Sequence, residues 1–243
     1  MTSLALANAV AVAGRLAPTD LEVAAGRLVA VIGPNGGGKT SLLRAIARTE
    51  DATGSVRVEG HDLDQAGEGE RRRLVALMPA SREAPWPIRV ADYIALGLGG
   101  RDEARCEALI DELELAKLAD RPIDRLSTGE RARAMLARAL AGKARLLLLD
   151  EPLSNLDPYW VLRTIELLRG EVSANSSSAL VAVHDLSLLD RFDRVLLVTG
   201  GALVAEGDPA SVLESAAFTD AFRIEADAHR WAIRRPADPR SLQ

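Results

Sequence analysis

The chain has 243 residues and is 48% hydrophobic, enough for one compact domain with a sizeable core. Its 30 basic and 35 acidic residues give a formal charge of −5 without a basic block, so no nucleic-acid partner is expected. A single cysteine, Cys106, excludes an intrachain disulfide, and no run approaches the roughly 20 apolar residues that span a bilayer.

Short apolar runs alternate with helical patterns in the first third of the chain. A continuous apolar run over residues 28–32 predicts a buried strand, and residues 41–47 predict a helix. Alternation over residues 56–58 predicts an outer strand, and the apolar run over residues 74–78 predicts another strand that ends at Pro79.

The segment from about residue 80 to residue 141 is different, because its patterns are mostly helical. Residues 90–98 are apolar at helical spacing, and residues 103–118 predict one charged amphipathic helix. We therefore expect a helical subdomain over about residues 80–141, inserted into a core formed by about residues 1–79 and 142–243.

Strand patterns resume after this insertion. Residues 146–149 and 179–183 predict buried strands, and Asp157 followed by Pro158 predicts the start of a helix. Residues 194–198 and 202–205 flank Gly200 and Gly201 as a hairpin. Strands separated by helices predict an α/β fold with a largely parallel sheet.

A glycine-rich stretch joins the first buried strand to the helix after it. It fits the pattern Gly, four residues, Gly-Lys-Thr, in which backbone N–H groups converge on phosphate oxygens. We expect Lys39 to contact the β- and γ-phosphates of a nucleotide and Thr40 to ligate Mg²⁺; a turn glycine-rich only for tight packing is the weaker alternative. The predicted nucleotide-binding residues are Gly33, Pro34, Asn35, Gly36, Gly37, Gly38, Lys39, Thr40 and Ser41.

Three further candidates end apolar strands, where open α/β sheets place their ligands. Asp150 is expected to hold Mg²⁺ and Glu151 to activate a water, although Asp150 could merely cap the turn before Pro152. His184 ends the strand over residues 179–183, and on local grounds it is more often a satisfied core residue than a catalytic one.

Taken together, these segments resemble the nucleotide-binding subunits of ABC transporters. In chain order they are residues 33–41, a signature-like Leu126-Ser127-Thr128-Gly129-Glu130, residues 146–151, a D-loop-like Ser154-Asn155-Leu156-Asp157, and His184. The resemblance implies a P-loop NTPase core with a mainly parallel sheet, an antiparallel β subdomain and the inserted helical subdomain, in one domain over residues 1–243.

The resemblance also assigns roles to residues. It implies ATP and Mg²⁺ as cofactors, Thr40 and Asp150 as the metal-binding pair, and Glu151 and His184 as the catalytic pair. It places the signature residues Ser127, Thr128, Gly129 and Glu130 against the ATP bound to the opposite subunit of a homodimer, and Asp157 near the seam. From the residues alone, Ser127 and Glu130 form a helix-capping box, and Asp157 is explained as an N-cap.

Within the family, the chain looks most like the subunits of siderophore, haem and vitamin B12 importers, on residues 74–79, 86–97 and 121–127. This implies two transmembrane permease subunits, indirectly a substrate-binding protein, and a peripheral position at the cytoplasmic face of the inner membrane. Residues 86–98 are expected to help line the docking groove, although Trp86 could equally be a core anchor.

The sequence departs from the family pattern at three places. Ala80 stands where a glutamine normally follows the proline aligned with Pro79, and Thr128 replaces a signature glycine. The region of residues 12–15 lacks the aromatic residue that stacks on adenine, and Arg15 is the candidate to stack instead. These departures predict a slow or partner-dependent ATPase.

Three functions remain open from the sequence. The first is an importer motor for a metal chelate or corrinoid, and the second is an ABC ATPase of an exporter or a soluble assembly system. The third is a nucleotide-binding module with little turnover, which Ala80 and the missing aromatic favour and Glu151 disfavours.

Overall fold

The computed structural model describes residues 3–81, 87–98, 102–227 and 230–233. Trp86, and with it the choice between a docking residue and a core anchor, lies outside the described residues. The strands are β1 (Ser3–Val12), β2 (Leu16–Ala24), β3 (Leu28–Ile32), β4 (Thr53–Val58), β5 (His61–Asp62), β6 (Val75–Met78), β7 (Leu146–Leu149), β8 (Ser178–Ala182), β9 (Arg194–Thr199), β10 (Ala202–Gly207), β11 (Ile224–Asp227) and β12 (Arg230–Ile233). The helices are α1 (Lys39–Ile46), α2 (Glu68–Leu74), α3 (Val90–Ala95), α4 (Glu103–Glu112), α5 (Thr128–Ala141), α6 (Pro158–Asn175), α7 (Pro209–Leu213) and α8 (Ala216–Phe222), with 3₁₀ turns at Ala116–Leu118, Ile123–Arg125 and Leu186–Arg191.

The central sheet has the strand order β10-β9-β3-β8-β7-β6, and its described strands are parallel apart from the β9–β10 hairpin. Every residue of β3 and β7 is buried, because the sheet is covered on both faces. This explains why both strands are continuous apolar runs. The predicted α/β fold with a mainly parallel sheet is confirmed.

A second sheet, antiparallel with the order β2-β1-β4-β5, covers one face of the central sheet together with α1. Hydrophobic alternation alone does not predict β1 and β2. One reason is a bulge in β1, where Ala9 adopts φ +49 and the register shifts between Ala7 and Val10. The antiparallel β part expected from the family resemblance is present.

Helices α3, α4 and α5 lie between β6 and β7 in the chain and pack against the other face of the central sheet. The single helix predicted over residues 103–118 is wrong over residues 113–118, because α4 ends at Glu112 and Glu114 adopts φ +51. Leu113 and Leu115 are both fully buried. Residues two apart face different sides of a helix, so the break allows both side chains to enter the core.

Other boundaries differ by one to three residues. Leu74 ends α2 instead of starting a strand, and β8 begins at Ser178, one residue earlier than predicted. The predicted start of α6 is confirmed, since the Asp157 side chain accepts a hydrogen bond from the Trp160 N–H at 3.0 Å and Pro158 is the first helical residue. Among the described residues, none of the helices combines the length and apolarity that crossing a bilayer requires.

Candidate functional site

The glycine-rich loop is pressed against the central sheet where β3 ends. An added Cβ at Gly33, where φ is +152, would lie 1.9 Å from the Val198 carbonyl oxygen. A Cβ at Gly37 would lie 2.8 Å from the same oxygen and 2.9 Å from that of Pro34. Glycine is therefore required by the fold at these positions, as well as by the approach of a ligand.

Lys39, the first residue of α1, is nearly buried, with 6% of its surface exposed. Its ammonium group donates hydrogen bonds to the carbonyl oxygens of Gly33 at 2.8 Å and Pro34 at 3.1 Å. Burial lowers the pKa of Lys39, and the charges of Glu151 and Asp150 oppose that shift. The loop thus holds a cation at the positive end of a helix, which is an arrangement suited to an anionic ligand.

A cavity of about 790 Å³ opens above this loop, within the usual range for small-molecule sites. It brings together most of the residues predicted from sequence. The described residues that line it are Gly14, Arg15, Asn35, Gly36, Gly37, Gly38, Lys39, Thr40, Ser41, Glu151, His184, Gly200 and Gly201. Gly33 and Pro34 lie beneath it and hold Lys39 through their carbonyl groups.

Asp150 follows β7 and is almost fully buried, with 2% exposure. Its backbone N–H donates to the Met78 carbonyl at 2.9 Å, but neither carboxylate oxygen has a hydrogen-bond partner among the described residues. The side chain therefore does not cap the turn before Pro152. Burial raises the pKa of Asp150; the nearby Thr40 hydroxyl opposes this shift without forming a well-aligned hydrogen bond.

The buried, unpartnered carboxylate of Asp150 and the hydroxyl of Thr40 are a fitting pair for Mg²⁺. This metal takes oxygen ligands, is held by one or two protein groups, and otherwise keeps water or phosphate oxygens. A charged carboxylate without a partner is costly inside a protein, and a bound cation would remove that cost. The described residues contain no larger cluster of histidine, cysteine and acidic side chains that could hold a metal by itself.

Glu151 and His184 meet at the mouth of the cavity, where Glu151 Oε1 lies 2.6 Å from His184 Nε2. Their side chains are 32% and 44% exposed. The interpretation of His184 as a satisfied core residue is therefore wrong: it comes to the surface after β8 and pairs with the acid after β7. Glu151 adopts φ +54, a strained conformation for a non-glycine residue.

The signature residues lie at the start of α5 and do not line this cavity. Ser127 and Glu130 form a capping box: Ser127 N–H donates to Glu130 Oε2 at 2.8 Å, and Glu130 N–H donates to Ser127 Oγ at 3.3 Å. The first of these bonds lowers the pKa of Glu130. Thr128 is exposed at the first helical position, and Gly129 faces the Asn155 carbonyl, 3.4 Å from where a Cβ would be.

Two glycines that line the cavity were predicted only as a hairpin turn. Gly201 N–H donates to the Gly37 carbonyl at 2.9 Å, so the β9–β10 turn forms one wall beside the loop. Gly14 and Arg15, in the β1–β2 turn, line the same side. In the sequence, the adjacent glycines Gly200 and Gly201 were the one signal that could have pointed to this wall of the cavity. Ala80 is half-buried after β6 and does not line the cavity.

Comparison with known proteins extends these observations. A family model described as "ABC transporter" matches residues 16–154. The chain is similar to the hemin import ATP-binding protein of Streptomyces coelicolor, with 37% identity over 213 residues, covering 84% of this chain and 76% of that protein. It is also 35% identical over 198 residues to the cobalamin import ATP-binding protein of Halobacterium salinarum, covering 77% of this chain and 50% of that protein.

Solved structures support the same fold. A nucleotide-free ATP-binding cassette from an ABC transporter superposes with a TM-score of 0.78 at 21% identity, covering 91% of this chain and 99% of that one. An ATP-bound bacterial Atm1-family exporter also gives a TM-score of 0.78, at 24% identity, covering 90% of this chain and 41% of that one.

Proposed function

This chain belongs to the ABC transporter family, and from that premise we propose that its cavity binds ATP over residues 33–41 and hydrolyses it with Glu151 as the base. The chain is an ATPase motor subunit of the import type, and such subunits work in dimeric assemblies with membrane permease partners. The observation that carries the assignment of residues is the convergence of Lys39 and the Glu151–His184 pair on one cavity, with Asp150 buried close to Lys39 and Thr40.

The loop and α1 supply the binding step. Backbone N–H groups at the start of α1 and the Lys39 ammonium group face an anion from the same side, so the triphosphate lies across them. To reach the phosphates, the Lys39 ammonium exchanges its bonds to the Gly33 and Pro34 carbonyls for bonds to phosphate oxygens.

Thr40 and Asp150 are the residues that would hold Mg²⁺. When bound there, the ion neutralises phosphate charge and helps to orient the terminal phosphate. The role of this chain is to keep the Asp150 carboxylate buried and free of competing hydrogen bonds until the ion arrives.

Glu151 and His184 supply the hydrolytic step. The Glu151 carboxylate accepts a proton from a water whose oxygen attacks the γ-phosphorus, and the bond from that phosphorus to the β–γ bridging oxygen breaks to release ADP. His184 orients the carboxylate through the 2.6 Å contact. This pairing fixes the base while leaving both side chains accessible to the cavity.

The signature residues act on the other subunit of a homodimer. Ser127 and the N–H groups at the start of α5 form a positive helix end that does not line the cavity of their own chain. In a head-to-tail homodimer, this end meets the γ-phosphate bound to the partner, with Asp157 near the seam. This arrangement accounts for a signature that is exposed and separate from the cavity.

The transported cargo we propose is haem or a corrinoid, a metal-bearing macrocycle, delivered by a substrate-binding protein. The support is that the similar proteins are named for hemin and cobalamin import. These names do not favour the exporter or soluble assembly alternative. The working position is peripheral, at the cytoplasmic face of the cell membrane, with helices α3–α5 as the inserted subdomain of a single domain.

Hydrolysis of Mg-ATP by the purified chain tests the assignment. Glu151→Gln removes the base but keeps the side-chain volume, so we expect turnover to fall about 100-fold or more while ATP binding persists. Glu166→Gln is the matched control, since Glu166 is an exposed glutamate on α6, and its turnover should stay within about twofold of wild type. Equal rates for Glu151→Gln and wild type would exclude Glu151 as the base.

A nucleotide-binding module with little turnover is the second candidate, and Ala80 favours it. A residue at this position normally provides a polar side chain after β6, and Ala80 provides none. If wild type binds ATP without turnover, even with its permease partners present, and Ala80→Gln hydrolyses it, the module assignment is correct. Turnover by wild type makes Ala80 a tolerated departure.

A further inference from the structure

A tight turn follows the proposed base. Its first residue is Glu151, and it is closed by the Ser154 N–H, which donates to the Glu151 carbonyl oxygen at 3.2 Å. Pro152 takes the second position of the turn, where its fixed φ is favoured. The Ser154 hydroxyl donates to the same carbonyl oxygen at 2.9 Å. Two donors from one residue therefore hold the carbonyl group of Glu151.

The backbone that these bonds hold is strained. Glu151 adopts φ +54, which few residues other than glycine do. It also precedes Pro152, and the residue before a proline normally takes extended backbone with negative φ. Such a conformation persists only where the surrounding structure holds it in place. The two hydrogen bonds from Ser154 supply such a hold.

The strained backbone sets the direction of the Glu151 side chain. Cβ and the carbonyl carbon are both bonded to Cα, so a change in φ moves them together. The preceding residue is fixed, because the Asp150 N–H donates to the Met78 carbonyl at 2.9 Å. At φ +54 the Glu151 carboxylate reaches His184, with 2.6 Å between Oε1 and Nε2. A return to negative φ would turn the carboxylate out of this contact.

The segment after the turn is fixed as well. Asn155 adopts φ +59, a conformation that asparagine tolerates better than most residues. Its carbonyl oxygen lies 3.4 Å from where a Cβ on Gly129 would be, so the segment packs against the start of α5. Leu153 and Leu156 are partly buried against the hydrophobic core. Ser154 therefore holds the Glu151 carbonyl from an anchored stretch of chain.

We propose that Ser154 is a positioning residue for hydrolysis. Its hydroxyl holds the Glu151 carbonyl group, and with it the strained backbone that aims the base at the attacking water. Ser154 is not among the described residues that line the cavity, so it acts through Glu151 rather than on the ATP of its own chain. The proposal rests on the proposed function, because it takes Glu151 as the base.

Mg-ATP turnover by full-length variants tests this role. Ser154→Ala removes the hydroxyl but keeps the N–H bond that closes the turn. We expect kcat to fall about fivefold to thirtyfold while KM for ATP stays within about twofold, because a misdirected base slows the chemical step and leaves the nucleotide site intact. Ser154→Thr keeps a hydroxyl at the same position and should return kcat to within about threefold of wild type.

A double-mutant cycle shows whether Ser154 acts through the base. In a Glu151→Gln background the base is already lost, so adding Ser154→Ala should change the residual single-turnover rate by less than about twofold. Ser215→Ala is the matched control, because the Ser215 hydroxyl also donates to the carbonyl three residues back, that of Val212, at 2.7 Å. Its kcat should stay within about twofold of wild type.

A crystal structure of Ser154→Ala supplies a readout that does not depend on turnover. We expect Glu151 to adopt negative φ in this variant, with its contact to His184 broken. A Glu151 backbone that keeps φ near +54 in Ser154→Ala would overturn the proposal, because the hydroxyl would then not be what holds it. Thermal unfolding of the same preparation checks that the variant is folded.

The kinetic results separate this proposal from the proposed function. Unchanged kcat in Ser154→Ala would overturn the proposal alone, as would a rise in KM without a fall in kcat. An equally large further loss in the Glu151→Gln background would also overturn it, because Ser154 would then act independently of the base, for example at the seam of the homodimer. If wild type has no turnover even with its permease partners, or if Glu151→Gln is as fast as wild type, the proposed function fails and this proposal fails with it.

Discussion

Replacing Ser127 by aspartate separates the two roles that the sequence leaves open for this residue. Aspartate caps helices about as well as serine, so Ser127→Asp keeps the N-cap of α5. It also places a negative charge where the proposed homodimer brings the γ-phosphate of the partner's ATP. A residue that only caps a helix should tolerate the exchange, whereas a residue that contacts phosphate should not.

The capping contribution can be estimated from the two hydrogen bonds of the box. Ser127→Ala removes the bond from the Glu130 N–H, which at 3.3 Å is slightly longer than the normal range. We expect a loss of about 1 kcal/mol in the free energy of unfolding, which lowers Tm by about 2–4 °C in a domain of this size. Ser127→Asp should stay within about 0.5 kcal/mol of wild type.

The assay is Mg-ATP turnover at saturating ATP, beside thermal unfolding of the same preparations. We expect Ser127→Asp to lose about 100-fold or more in turnover with no loss of stability. Ser215→Asp is the matched control, because Ser215 caps α8 in the same way, accepting from the Phe218 N–H at 3.1 Å. It should keep both stability and turnover. Full activity of Ser127→Asp, with reduced activity of Ser127→Ala in proportion to its lost stability, would refute the phosphate contact.

Two further substitutions test the interior of the site. Because the folded-state pKa of Asp150 is raised above its usual 3.8, the ionised side chain destabilises the fold above the folded-state pKa, and this effect disappears below 3.8. Asp150→Asn should therefore raise the free energy of unfolding at pH 7 by about 1 kcal/mol while stopping Mg-dependent turnover. A stability difference between Asp150→Asn and wild type, measured by denaturant unfolding, that does not shrink as the pH falls would contradict this. Gly33→Ala should abolish ATP binding in titration calorimetry, since its Cβ would overlap the Val198 carbonyl, whereas Gly69→Ala, in α2 with no atom within 4 Å, should leave binding unchanged and stabilise the fold by about 0.5–1 kcal/mol.

The sequence predicts this site well because most of its residues are consecutive. Residues 33–41 form one loop, and Asp150 and Glu151 directly follow a strand whose four leucines are visible in the sequence. His184 could be placed at the end of its strand but not paired, since the 2.6 Å contact with Glu151 depends on β7 and β8 being neighbours in the sheet. Strand adjacency is a tertiary property that hydrophobic periodicity does not contain.

Irregular backbone explains why strand β1 was not predicted and why the helix over residues 103–118 was predicted too long. The bulge at Ala9 hides the alternation of β1, and the positive φ of Glu114 divides what resembles one long amphipathic helix. Neither position carries glycine or proline, so neither has a local signal. Arg15 is a related case: its place beside the loop arises from bonds of the β1–β2 turn to Gly201, which lies far along the chain.

Helix α6, which follows Glu151 in the chain, contacts the inserted helices α4 and α5. Arg105 of α4 forms an ion pair with Glu171 of α6 at 2.9 Å, with side chains 16% and 12% exposed, and the Arg133 guanidinium of α5 lies 4.2 Å from the Trp160 ring centre. Both contacts join the inserted helices to α6. The N-cap of α6, Asp157, lies a short distance after Glu151 in the chain. The ion pair joins α4 to α6 and the cation–π contact joins α5 to α6, so a displacement of the inserted helices relative to α6 would have to break or rearrange both contacts. We therefore expect α6, the helix that follows Glu151 in the chain, to resist a displacement of the inserted helices such as a permease partner would impose.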